Sequence, residues 1–68
     1  MNDREFLRRV RRYARRNGLE FDFLPSRGKG SHGEARLGRF RTTVPRGELP
    51  AGTLSAMLRD LHINRKEF

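Results

Sequence analysis

The residues best suited to chemistry lie in one stretch, RGKGSHGEAR, from Arg27 to Arg36. It places His32 beside Ser31, with Lys29 and glycines before them and Glu34 and Arg36 after. An imidazole there can take or give a proton, and Gly-Lys-Gly can offer backbone N–H groups and a point charge to a phosphate. The stretch is not a P-loop: the GxxxxGK[ST] spacing is absent and no helical pattern follows. If Ser31 and His32 are consecutive strand residues, their side chains point to opposite faces and form no nucleophilic dyad. No acid is placed as an obvious third member of a triad. Metal ligation is not expected either, since the other histidine is His62 and no carboxylate cluster accompanies His32.

What remains is a lone imidazole among cations. Such a residue can be a ligand contact, a structural group or a catalyst. Cleavage of RNA is the reaction that asks least of it, because RNA supplies its own nucleophile, the 2′-hydroxyl. The protein then contributes an acid or base, and positive charge for the developing phosphorane.

The flanking pattern predicts the elements that position these groups. Asn2 with Glu5 reads as a capping box, and Phe6, Leu7, Val10, Tyr13 and Ala14 recur at helical spacing. A first helix over about residues 3–17 follows, stopped by Gly18. Arg8, Arg9, Arg11, Arg12, Arg15 and Arg16 fill its other half, and no acidic i,i+4 partner is expected to relieve them. Leu19, Phe21 and Phe23 alternate with Glu20 and Asp22 as a first strand. Pro25 to Ser31 reads as a loop. His32–Leu37 and Arg39–Val44 read as two strands around a type II′ turn with Gly38 first.

That register sets Leu37 opposite Phe40 and Ala35 opposite Thr42, on one face with Gly33 and Val44. His32, Glu34, Arg36, Arg41 and Thr43 take the other face. Arg36 and Arg41 become direct cross-strand neighbours, an arrangement that is destabilising unless an anion lies between them. Leu54, Met57, Leu58 and Leu61 predict a second helix over about residues 53–61, with Gly52 and Thr53 at its start. Asn64 with Glu67 suggests one last turn ending at Phe68. His62 is expected to meet carbonyls at the helix end. The fold class is α+β, in the order α-β-β-β-α, with both helices on one face of a three-stranded antiparallel sheet.

With 68 residues the chain makes one small domain, and without cysteine it has no disulfide or thiolate metal site. No apolar run approaches the ~20 residues of a membrane helix and the N-terminus lacks an apolar signal region, so no membrane association and a cytoplasmic setting are expected. The net charge is +8, and fourteen of the sixteen cations are arginine. Arginine suits bidentate phosphate contacts, which favours a nucleic acid partner over an acidic protein alone. Residues 1–17 carry +5, 18–47 carry +3 and 48–68 carry none, so a polyanion should meet the first two thirds.

GKGSH before a strand, then TTVP, then ELPAGTLSAMLRDLHI, resembles the HicA toxins of bacterial toxin–antitoxin pairs, over essentially the whole chain. The resemblance implies a fold similar to double-stranded-RNA-binding domains and an mRNA-cleaving toxin. It implies that His32 is catalytic, with Gly30 and Ser31 shaping its approach. It further implies a HicB-type antitoxin that masks the histidine and carries a DNA-binding part, so that the complex reaches operator DNA only through the antitoxin. Many members carry a further histidine after the Val-Pro element, where this chain has Arg46 and Gly47, so no second acid–base group is assigned. The expected enzyme is an RNA endonuclease with no metal and no cofactor. Lys29, Arg36 and Arg41 are expected to hold phosphates, with Arg8 and Arg12 of the first helix extending the footprint. The alternative is a non-catalytic RNA-binding module of similar fold.

Overall fold

A computed structural model describes residues 1–25 and 32–68. The order is α1 (Asp3–Asn17), β1 (Phe21–Leu24), β2 (Gly33–Leu37), β3 (Phe40–Val44), α2 (Ala51–Asp60) and a 3-10 turn (Arg65–Glu67). The strands form an antiparallel sheet in the order β1-β2-β3. This is the expected α-β-β-β-α arrangement.

α1 starts where Asn2 accepts a bond from the Glu5 amide through its side chain, 2.8 Å away, which satisfies one orphan donor of the first turn. The Glu5 side chain does something else: it pairs with Arg8 and, at 3.4 Å, with Arg9. The helix therefore does contain acidic relief for its arginines, at i,i+3 and i,i+4, which corrects the expectation that no acidic i,i+4 partner is present. Gly18 ends the helix at φ 64°, and its N–H donates to the Ala14 carbonyl. That left-handed turn is one a residue with a Cβ enters at a cost.

Phe6 and Val10 are completely buried, with Tyr13 and Ala14 beside them. They meet Ala35, Leu37 and Val44 from the sheet and Met57, Leu58 and Leu61 from the α2 end. Burial of a side chain such as Phe6 or Val10 stabilises by roughly 1.5–3 kcal/mol, so this small shared core is the main adhesive between the layers. Both helices lie on one side of the sheet, and the odd-numbered positions of β2 point into them.

α2 begins at Ala51, two residues before Thr53, with Pro50 capping it and no side-chain cap bond. Its end is a Schellman arrangement: the Ile63 amide donates to the Leu58 carbonyl and the His62 amide to the Arg59 carbonyl. Thr42 is buried in the sheet and donates its hydroxyl to Asp60 Oδ2 at 2.9 Å, tying β3 to the end of α2. The last turn is capped as expected, with the Asn64 side chain accepting from the Lys66 amide. Phe68 then packs its ring 5.5 Å from that of Phe6.

Candidate functional site

The β2–β3 register pairs Gly33 with Val44, Ala35 with Thr42, Arg36 with Arg41 and Leu37 with Phe40. Gly38 takes φ 58° at the hairpin turn while Arg39 does not have positive φ, as a turn with Gly first requires. The pleat then divides the side chains. Ala35, Leu37, Thr42 and Val44 are buried against the helices, whereas Arg41 and Thr43 are exposed and Glu34 and Arg36 half-exposed. Among the described residues no helix covers this second face, and Arg36 and Arg41 sit side by side on it.

β1 adds what the hairpin alone did not reveal. Asp22 pairs with Arg36 across the β1–β2 ladder, and Leu24 pairs with Glu34. One row across the sheet therefore reads Asp22, Arg36, Arg41. Within β2, the Glu34 carboxylate also accepts from Arg36 Nε at 2.6 Å. The facing arginines are thus partly compensated on one side: Arg36 has an acid, and Arg41 has none among the described residues. Of these two, Arg41 is the more available to an incoming anion.

His32 is half-exposed and immediately precedes β2, which starts at Gly33 and not at His32. The alternation argument that set Ser31 apart from His32 needed both in a strand, so it does not apply. Ser31 lies outside the described residues, as do Lys29 and Gly30 and the rest of 26–31. Among the described residues nothing hydrogen-bonds or ion-pairs with the His32 imidazole. No group of three or more His, Asp or Glu among them is placed to hold a metal.

At Gly33, the residue after His32, a cleft of about 560 Å³ opens between the start of α1 and the end of the sheet. Phe23, Gly33 and Val44 line it, with Arg4 and Arg46 also contributing. Gly33 has a steric reason to be glycine: a Cβ there would lie 2.6 Å from two atoms of the Phe23 ring. The fourth residue of the Gly-Ser-His-Gly sequence thus seats Phe23 and shapes the cleft wall. Arg4 and Arg46 were not separable in sequence from the other arginines; only the packing of the chain start against the segment after β3 brings them together. That packing includes the Asp3 amide bonded to the Gly47 carbonyl at 2.9 Å.

The structure does not bring Arg8 and Arg12 to this face. Both are exposed on α1 opposite its buried stripe of Phe6, Val10, Tyr13 and Ala14, so they point away from the sheet, and Arg8 is paired with Glu5. Other α1 arginines have packing roles. Arg9 lies over the Phe68 ring, Arg11 over Phe21, and Arg16 donates to the Glu67 carbonyl. The first-helix arginines and the open sheet face are two surfaces, separated by the helix layer.

His62 also departs from expectation. Its ring does not bond the helix-end carbonyls but stacks on Phe40, with centroids 3.8 Å apart and planes within 19°. Compared with models of known families, with curated proteins and with solved structures, the chain matches none.

Proposed function

We propose that this chain is an RNA endonuclease of the HicA toxin type, acting on mRNA in the cytoplasm and held in check by a HicB-type antitoxin. The observation that carries the reading is the open sheet face, with Arg36 and Arg41 side by side at the hairpin end and a half-exposed imidazole at the other end of β2. A phosphodiester backbone laid along β2 meets both.

In this reading His32 takes the proton from a ribose 2′-hydroxyl as that oxygen attacks the adjacent phosphorus. The 2′-O–P bond forms and the P–O5′ bond breaks, leaving a 2′,3′-cyclic phosphate and a 5′-hydroxyl. Arg36 and Arg41 hold phosphates of the backbone further along β2, and Lys29 is the cation in this reading for the charge gathering on the non-bridging oxygens. The leaving 5′-oxygen takes its proton from solvent, because His62 belongs to the end of α2 and stacks on the helix side of the sheet. No step calls on a metal or cofactor. Lys29, Gly30 and Ser31 complete the approach to the scissile phosphate. An acidic surface on the antitoxin would cover the same cations, and its DNA-binding part would carry the pair to operator DNA.

A half-exposed imidazole with no orienting partner among the described residues also suits a second reading, an RNA-binding module that leaves RNA intact. The experiment that separates them is incubation of RNA, free and ribosome-bound, with the wild-type chain and with His32→Ala. Cleavage and growth arrest should vanish in the variant while far-UV circular dichroism is unchanged. Undiminished cleavage by His32→Ala removes His32 from the mechanism. Binding without cleavage by the wild type leaves the module reading.

A further inference from the structure

An open three-stranded sheet has two edges, and the ladder fixes which backbone groups each edge presents. Leu37 and Phe40 close the two-residue turn as a pair, so they exchange both backbone bonds. Alternation then turns the N–H and C=O groups of Phe40, Thr42 and Val44 toward β2, and those of Arg41 and Thr43 outward. The far side of β2 agrees: Gly38, next to Leu37, donates to the Glu20 carbonyl at 2.9 Å and so faces β1. By the same alternation Leu19, Phe21 and Phe23 present their groups at the β1 edge.

The two edges are protected differently. On β1 the outward amides are taken from within: Leu19 donates to the Ala14 carbonyl at 2.9 Å, and Phe23 to Asp22 Oδ1 at 3.0 Å. On β3 neither the Arg41 nor the Thr43 amide donates to a group outside the ladder among the described residues, and both residues are exposed. Pro45, which has no N–H, ends this edge just beyond Val44. What guards it is charge, from exposed Arg39 and Arg41. Two β3 edges laid together would bring these arginines of both copies within reach of one another, which disfavours self-pairing. The same charges admit an acidic strand.

We propose that the edge of β3 takes an extended acidic segment of a partner protein as a fourth strand, antiparallel to β3, the slightly more stable sense. Naming that protein as the antitoxin rests on the proposed function; the edge itself does not. Strand addition draws affinity from main-chain bonds and specificity from alternate side chains. Arg41 and Thr43 offer two N–H and two C=O groups, which suits a segment about as long as β3, five residues. The side chain opposite Arg41 falls on the open face with its Cβ about 4.5–5.5 Å away, where an aspartate or glutamate pairs with the guanidinium. The next side chain falls opposite Thr42 on the helix side, where Asp60 holds the Thr42 hydroxyl at 2.9 Å. A second carboxylate is repelled there and an uncharged residue is accepted. RNA can meet the arginine side chains, but it has no row of amides to match the outward backbone groups. A segment bound this way takes Arg41 from RNA, so edge occupancy also weakens the hold on substrate.

The probe is a synthetic peptide alternating glutamate with valine, titrated at low salt against the full chain. Two modified forms keep every charge: one N-methylated at the glutamates, whose amides face β3, and one at the valines, whose amides point away. Methylation at the glutamates should weaken binding about 5- to 150-fold, the worth of two main-chain bonds. Methylation at the valines should leave affinity unchanged. Amide hydrogen exchange should slow at Arg41 and Thr43 when the unmodified peptide binds, and not at Phe21. Thr43→Pro removes one outward N–H and spares the β2 ladder; it should lose the peptide and still bind RNA. Equal affinity for the two methylated forms reduces the contact to charge attraction and overturns the strand addition, whether or not the proline variant folds. No binding of the unmodified peptide overturns it as well. Neither result touches the RNA reading, which the cleavage experiment decides. Dimers whose Arg41 and Thr43 amides are already protected without peptide assign the edge to a second copy, and that too overturns the proposal.

Discussion

Gly33→Ala tests whether the glycine after His32 is there for packing. Its backbone is extended, so alanine meets no conformational obstacle, and removing a glycine from the unfolded chain by itself stabilises by about 0.4–1 kcal/mol. Against that stands the steric overlap. The new methyl would sit 2.6 Å from two Phe23 ring atoms and 3.2 Å from the Leu24 carbonyl oxygen, where carbon atoms prefer about 3.5–4.0 Å. The ring must therefore shift by about 1 Å, or β1 must separate from β2. Overpacking of this kind costs about 1–3 kcal/mol, so at the middle of both ranges overlap wins, and the net loss after subtracting the glycine term is about 1.3 kcal/mol. A domain of this length loses about 4–8 °C of melting temperature per kcal/mol, which thermal circular dichroism measures easily. The cause is isolated by a double-mutant cycle with Phe23→Leu: removing the ring atoms that clash should make Gly33→Ala nearly neutral or stabilising in that background. If Gly33→Ala matches the wild type in both backgrounds, the contact between Gly33 and Phe23 is not what selects glycine.

Two further substitutions separate stability from ligand binding. Arg41→Thr removes the like-charge neighbour of Arg36 and should raise stability in urea by about 0.5 kcal/mol; the salt slope for RNA binding should fall by about 0.7. A loss of stability with RNA binding unchanged would contradict both parts. Thr42→Val keeps the shape of the buried side chain but removes the hydroxyl bonded to Asp60; the expected loss is about 1 kcal/mol. Asp60→Asn, which retains an acceptor oxygen, should cost less in the same melt.

Much of the architecture could be read from side-chain spacing. The helical recurrence of Phe6, Val10, Tyr13 and Ala14 and the stop at Gly18 marked α1 because a core-facing helix must present its apolar side chains every three to four residues. Gly38 marked the hairpin because its turn needs positive φ at one position, and that turn then fixed which residues face each other, Arg36 with Arg41 among them. Such rules are local: they depend on one element's own geometry, or on two strands joined by a short turn.

Four features escaped them for a common reason. The Asp22–Arg36 pairing joins strands whose connection gives no register signal, so it follows only from how β1 docks on β2. Glu5 fitted a capping box equally well as an ion-pair partner, and side-chain placement alone chose Arg8 and Arg9. Arg4 and Arg46 share a cleft because the two ends of the sheet-to-helix path pack together. His62 meets Phe40 because the last turn of α2 comes to rest over the β2–β3 hairpin. The sequence by itself determined which residue types were present and which elements carried them: a single imidazole before a strand, a basic hairpin and two amphipathic helices. Tertiary structure decided which charges became neighbours, that Arg8 and Arg12 of α1 face away from the sheet, and which side of the sheet the two helices share. Those outcomes depend on the relative placement of whole layers, and that placement is set by the shared core rather than by any one segment's pattern.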